Sequence, residues 1–155
     1  MKTLVVGDLH LKQQFVLPRI DGMLAGDAEI GRVVFLGDAC DDWGANEADE
    51  LNAMEFYAKW VREHRGRGMR IDVLLGNHDF CYVRGKRGPG SIMSIMRNLR
   101  TILEDALQAK VACAVGPYLC SHAGVTGVWA KRFLADVPAD AVAIAQRLNE
   151  MLADS

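Results

Sequence analysis

Gly76-Asn77-His78-Asp79, preceded in the chain by Gly7-Asp8-Leu9-His10 and Gly37-Asp38-Ala39-Cys40-Asp41, decides the fold of this 155-residue chain. Each signature follows an apolar run: Thr3 to Val6, Val33 to Leu36, and Ile71 to Leu75. A short apolar run that ends in Gly reads as a buried strand running into a turn. Three such strands in one parallel sheet have their C-terminal ends along one edge, so the three loops converge on one point. Asp, His and Asn together offer oxygen and nitrogen ligands for hard or borderline divalent metals. A fourth candidate, Ser121-His122-Ala123-Gly124, follows a later apolar run.

Between the strands, near 2–7, 32–37 and 70–75, the spacing predicts helices near 15–26, 46–65 and 91–108. The second is marked by Leu51, Met54, Phe56, Tyr57, Trp60 and Val61 at helical spacing. Asn46 is its N-cap and Asp49 its capping-box acid. In the third, Ile92, Ile95, Met96, Leu99, Ile102, Leu103 and Leu107 share one apolar face. Two short strands, Val111 to Val115 and Tyr118 to Ser121, flank a Gly116-Pro117 turn. A last helix is expected from about Ala139 to Leu152. Alternating strands and helices give an α/β class with a largely parallel first sheet.

Composition sets outer bounds. The length fits one domain with a real core. Half of the residues are hydrophobic and the net charge is −2, so there is no global basic footprint for duplex nucleic acid. The apolar start is too short for a signal peptide, and no run approaches the roughly 20 residues of a membrane span. The four cysteines, Cys40, Cys81, Cys113 and Cys120, have no CxxC spacing and read as free thiols, Cys40 as a small packed residue. The reading is a cytoplasmic chain with no membrane partner.

The ordered set GDxH, GDxxD, GNHD and a later histidine resembles the calcineurin-like metallophosphoesterases, over Met1 to about Val128. The His-Ala-Gly form of the fourth motif is similar to the protein-phosphatase and dinucleoside-tetraphosphatase branches. The resemblance implies a sandwich of two sheets between helix layers. It also implies two divalent metal ions, with Mn²⁺ preferred and Fe, Zn, Mg or Ni as alternatives. In that pattern Asp8 and His10 hold the first metal, Asp38 bridges, and Asn77 and His122 hold the second. A metal-bound hydroxide attacks a phosphomonoester or phosphodiester, His78 assists the leaving group, and Asp41 fixes the imidazole.

Taken one at a time, these residues have plainer readings, because Gly-Asp after a strand is common turn chemistry and a lone His at a strand end is often only hydrogen-bonded. Asp79 reads as a loop-capping carboxylate, and His64 as a helix-end cation. Asp42 and Trp43 read either as the mouth of the site or as an exposed turn.

The chain departs from the family pattern twice. Asp42 stands where the protein-phosphatase branch has a phosphate-gripping Arg, which ranks small phosphoesters or nucleotides above phosphoproteins as substrates. The basic loop Arg84, Lys86 and Arg87 is the candidate replacement clamp, and a solvated loop is its alternative. Nothing after His122 is histidine, so the family's last metal-2 ligand and its C-terminal strands lack counterparts. A fragment of a longer protein, a ligand from another subunit, or a short form with a weakly held second metal would each account for this. An incomplete second sheet leaves apolar surface that favours a homo-oligomer or a covering C-terminal helix. The competing function is a catalytically weak or inactive binding or scaffold module. A nuclease-type phosphodiesterase is disfavoured by the modest charge.

Overall fold

The computed structural model describes residues 1–154, so the last residue of the expected single domain, 1–155, lies outside it. Strand β1 (Lys2–Val6) leads through helix α1 (Gln13–Gly26) to β2 (Ile30–Phe35). Helix α2 (Glu47–Gly66) leads to β3 (Arg70–Val73), and α3 (Asn77–Val83) follows at once. The order β1-β2-β3 is parallel throughout, with Val5 beside Val34 and Val33 beside Ile71. Right-handed strand–helix–strand units place consecutive strands side by side, as the alternating pattern requires.

Alternation along β2 decides what packs on each face. Val33 and Phe35 join Leu17 and Ile20 of α1 and Met54, Tyr57 and Val61 of α2 in the main core. Each such fully buried side chain contributes roughly 1.5–3 kcal/mol. Helix α2 is fixed at its start by the expected capping box: the Asn46 side chain accepts from Ala48 N and Asp49 N, and Asp49 accepts from Asn46 N. Near its end His64 stacks on Trp60 and reaches Asp21 at 3.0 Å, a packing role.

Val34 and Leu74 point the other way, against the hairpin β4 (Ala112–Val115) and β5 (Tyr118–Ser121). The same face buries the Arg32–Asp72 pair, and Arg32 also donates to the Ala114 carbonyl at 2.7 Å. The second sheet is therefore a two-stranded hairpin pinned to the first by a charge pair and a small apolar cluster. It does not reach over β1, where Val5 stays 47 % exposed.

Helix α6 (Ala141–Ala153) covers the start of β4. Its Asn149 side chain behaves as a strand surrogate. Asn149 Oδ1 accepts from Val111 N and Ala112 N, and Asn149 Nδ2 donates to the Ala112 carbonyl at 3.0 Å. Edge groups that would invite another chain are satisfied from within. Helix α6 thus covers this end of β4. Among the described residues no helix is long and apolar enough to cross a membrane.

Three elements differ from the sequence reading. The expected helix over 91–108 is a 3₁₀ turn at Met93–Ile95, helix α4 (Met96–Thr101) and a π turn at Ile102–Ala106. Its buried residues, Ile95, Leu99, Leu103 and Leu107, recur every fourth position. On an α-helix that spacing drifts by about 40° per turn; widening to the π form holds the row against the core. Asn77 to Asp79, expected as loop, opens α3, and a further short helix, α5 (Gly127–Phe133), follows the fourth motif. Seven residues make only two turns, too short a window to read a helical period.

Candidate metal centre

The loops after β1, β2 and β3 meet because their backbones interlock. Leu9 N and His10 N both donate to the Asp38 carbonyl, at 3.0 and 2.9 Å, and Leu11 N donates to Ala39 O. Gly37 and Gly76 are glycines because the second and third loops touch there. Gly37 has φ +108°, and a Cβ on it would lie 2.3 Å from Gly76 N. Below the loops the Asp79 carboxylate accepts from Ala39 N, Cys40 N and Gly76 N, each at 2.9 Å. Burial raises the Asp79 pKa and those N–H donors pull it back down. Asp79 is the loop cap its position suggests. The Cys40 thiol is fully buried, and burial pushes its pKa well up, so it stays a protonated packing group.

His10, Asp38 and Asp41 have φ of 39°, 50° and 65°. Left-handed backbone at a non-glycine residue costs on the order of 1–3 kcal/mol and persists only where surroundings over-determine it. Here the interlocked loops do so, and the strain aims three side chains at one place.

The histidine tautomers follow from their backbone partners. His10 Nδ1 faces the Asp41 carbonyl at 2.9 Å, and His122 Nδ1 faces the Leu36 carbonyl at 3.0 Å. A carbonyl only accepts, so each Nδ1 carries the hydrogen and each Nε2 of a neutral ring presents a lone pair. Both lone pairs point at Asp38 Oδ2, at 3.8 Å from His10 and 3.3 Å from His122. Asn77 Oδ1 joins them, 3.2 Å from His122 Nε2. Asp38 Oδ1 is already used, accepting from His78 N at 2.9 Å. Asp8 completes the set: one ligand atom each from Asp8, His10 and Asp38 lie within 4.8 Å of one another. Burial alone would lower the His10 pKa, but the Asp41 carbonyl and the Asp38 charge outweigh it and raise it.

Nitrogen and oxygen lone pairs thus converge with no hydrogen among the neutral groups to separate them. Ligands each about 2.0–2.2 Å from one ion lie roughly 3–4 Å apart, which matches this spacing. The donor set fits divalent cations. Asp38 Oδ2 lies between the two imidazoles, 3.8 Å from His10 Nε2 and 3.3 Å from His122 Nε2.

Beside the cluster stands His78. Its Nδ1 donates to Asp41 Oδ2 at 2.9 Å, and its ring meets His10 edge-on at 5.1 Å between centroids. Asp41 is held from three directions. Its second oxygen accepts from the Tyr82 hydroxyl, and its backbone N donates to Glu50 Oε1 at 3.1 Å. The Tyr82 hydroxyl accepts in turn from Ile92 N at 2.9 Å. Burial and the bond to Asp41 raise the Tyr82 pKa, keeping the phenol a donor. Tyr82 and Glu50 are supports that the sequence reading missed. His78 and Tyr82 stand four apart, a one-face helical spacing, but that signal needs α3 to be recognised first.

A pocket of about 260 Å³ opens over His78, His10 and Asp41, bordered by Asp42, Trp43, Pro89 and Gly90. Asp42 and Trp43 do line the mouth; Trp43 is 89 % exposed and Asp42 is paired with Lys12. The structure does not bring the basic loop to this pocket. Arg84 lines a different cavity with Arg100, Glu104 and Lys110, and Lys86 and Arg87 are exposed. The residues that follow it, Pro89 and Gly90, border the pocket, and among the described residues no Lys or Arg is in the lining.

Glu50 carries a pH dependence. Burial, followed by the competing Asp41 N–H and the adjacent Asp41 charge, raises its pKa from the ordinary 4.5 to about 7. The folded state therefore holds the proton more tightly than the unfolded chain. That contribution is fully present below pH 4.5 and is lost as pH rises through 7. A neutral Glu50→Gln chain should match wild type near pH 4 and exceed it at pH 8 by up to about 3 kcal/mol. Thermal melts at the two pH values check this; an equal difference at both would show that the charge is not the cause.

A family model described as calcineurin-like phosphoesterase matches residues 1–154. No curated protein and no solved structure gives a significant match.

Proposed function

We propose, for a chain that belongs to the calcineurin-like phosphoesterase family, hydrolysis of phosphoester bonds at a two-metal centre formed by Asp8, His10, Asp38, Asn77 and His122. The observation that carries the reading is the convergence of His10 Nε2, His122 Nε2, Asp38 Oδ2 and Asn77 Oδ1 beside a His78–Asp41 pair. Divalent metals, when bound, supply positive charge to the phosphoryl oxygens and a water of lowered pKa. Among the described residues no Lys or Arg is in the pocket lining, and the cation at its mouth, Lys12, is paired with Asp42.

The chain's own residues do the rest. The Asp41 and Leu36 carbonyls orient His10 and His122, and His78 N steadies Asp38. His78, with Nδ1 held by Asp41, presents Nε2 to the leaving oxygen and hands it a proton. Asp41 keeps that ring oriented and balances its charge, while the Tyr82 hydroxyl and Glu50 keep Asp41 in place. Asp8, His10 and Asp38 would hold one divalent ion, and Asn77 and His122, with Asp38, would hold a second less tightly, having fewer charged ligands of their own.

The test is release of nitrophenol from 4-nitrophenyl phosphate and from its aryl diesters with Mn²⁺, before and after chelation, with calorimetric Mn²⁺ titration. Metal-dependent turnover and two unequal affinities are expected. Turnover that survives thorough chelation, or no Mn²⁺ binding at all, would sink the reading.

A further inference from the structure

Resting on the phosphoesterase reading above, we infer that this site takes phosphodiesters whose retained ester group is apolar and ring-sized, seated in a cavity on the His122 side of the centre. The cavity measures about 420 Å³. Asn77 and His122 form its end at the metal centre, and Leu75, Phe80, Val111, Trp129 and Leu148 form its walls. No Lys, Arg, Asp or Glu lines it. It exists because α5 and α6 fold back beside the hairpin, bringing Trp129 and Leu148 opposite Phe80 of α3.

Its position relative to His78 gives it a role. Asp38 Oδ2 lies between His10 at 3.8 Å and His122 at 3.3 Å. The pocket with His78 opens on the His10 side, the apolar cavity opens on the His122 side, and the two share no lining residue. A phosphate ester cleaved here has its leaving oxygen next to His78. A monoester carries nothing else, so the apolar cavity would keep only water against carbon. A diester carries a second substituent, held away from the leaving oxygen by the tetrahedral phosphorus. That substituent has the apolar cavity beside it. Enclosing it removes ligand and wall carbon from water together.

The step balances. Water adds its oxygen to phosphorus, and the phosphorus–oxygen bond to the leaving alcohol breaks. His78 gives that oxygen a proton and regains one from the attacking water. The products are the alcohol and a phosphomonoester that keeps the apolar group.

Three substrates with one leaving group isolate the cavity: phenyl 4-nitrophenyl phosphate, methyl 4-nitrophenyl phosphate and 4-nitrophenyl phosphate. With the Mn²⁺-loaded full chain, kcat/KM for the phenyl diester should exceed that for the methyl diester by about tenfold or more, the scale of burying one ring. Phe80→Ala and Trp129→Ala should each pull that ratio, read within each variant, towards one. A phenyl-to-methyl ratio near one in wild type, or a monoester that is the best of the three, would overturn the inference. A second measurement does not need turnover. Phenyl phosphate, the expected product, should shift the Trp129 indole N–H resonance, identified by its loss in Trp129→Phe, while methyl phosphate should not. If none of the three esters is cleaved under any metal condition, the phosphoesterase reading fails. The cavity is then judged by that resonance alone, and an unmoved Trp129 signal overturns it too.

Discussion

His78→Ala should lower kcat by about 10² to 10⁴, the usual worth of a positioned general acid, while Mn²⁺ affinity stays nearly intact. His78 reaches the centre through its backbone N–H to Asp38 Oδ1, which Ala retains, and through an edge-on ring contact with His10 that presents no ligand atom. Its ring faces Asp41 and the open pocket, not the lone-pair cluster. The loss should depend on the leaving group. An alkyl alkoxide needs the proton and should suffer most; a nitrophenolate leaves without one and should suffer least. Asp41→Asn should cost less, since the amide still offers an oxygen to Nδ1–H and only the charge is gone. Equal losses on alkyl and nitrophenyl esters would place His78 on the phosphate instead. A large fall in Mn²⁺ affinity would make it a ligand.

Asp38→Asn should have the other large effect, and on binding first. It removes the buried negative charge that lies beside both His10 and His122. Partners that merely orient a ligand cost 10–100-fold in metal affinity when lost, so a shared ligand should cost more than about 100-fold. The fold should survive. Asn tolerates the left-handed backbone at φ 50°, and its amide oxygen still accepts the His78 N–H. In the metal-free protein the new amide N–H can donate to a lone pair of His10 or His122, which Asp38 cannot do. Metal-free Tm should therefore hold or rise. The rise in Tm that Mn²⁺ gives wild type, corresponding to about 2.7 kcal/mol at a concentration of 100 times Kd, should vanish, and turnover with it. A wild-type-like Mn²⁺ shift in Asp38→Asn would remove Asp38 from the metal set. A collapse of metal-free Tm would show that its main role is holding the loops.

The sequence by itself determined the parallel three-stranded sheet and the edge at which its loops meet. Apolar runs ending in Gly-Asp or Gly-Asn report strand and turn locally, and parallel pairing then leaves one edge for all three loops. The α2 capping box was legible for the same reason, since Asn46 and Asp49 satisfy N–H groups within their own turn. Only the tertiary structure decided what depends on groups far apart in the chain. The Leu36 and Asp41 carbonyls fix which nitrogen of His122 and His10 is free, across 86 and 31 residues. Tyr82 supports Asp41 only because α3 turns it back beneath the site, a helix too short to carry a hydrophobic period. The neighbourhood of the basic loop was equally hidden. Charge along Arg84 to Arg87 reads equally as a phosphate clamp or a solvated loop, and only the fold shows that Pro89-Gly90 border the pocket while Arg84 lines another cavity. Asn149 closing the edge of β4, and Trp129 meeting Phe80 across an apolar cavity, follow from how the last two helices fold back. Local periodicity reports which face of a helix is apolar; it does not report what that face will meet.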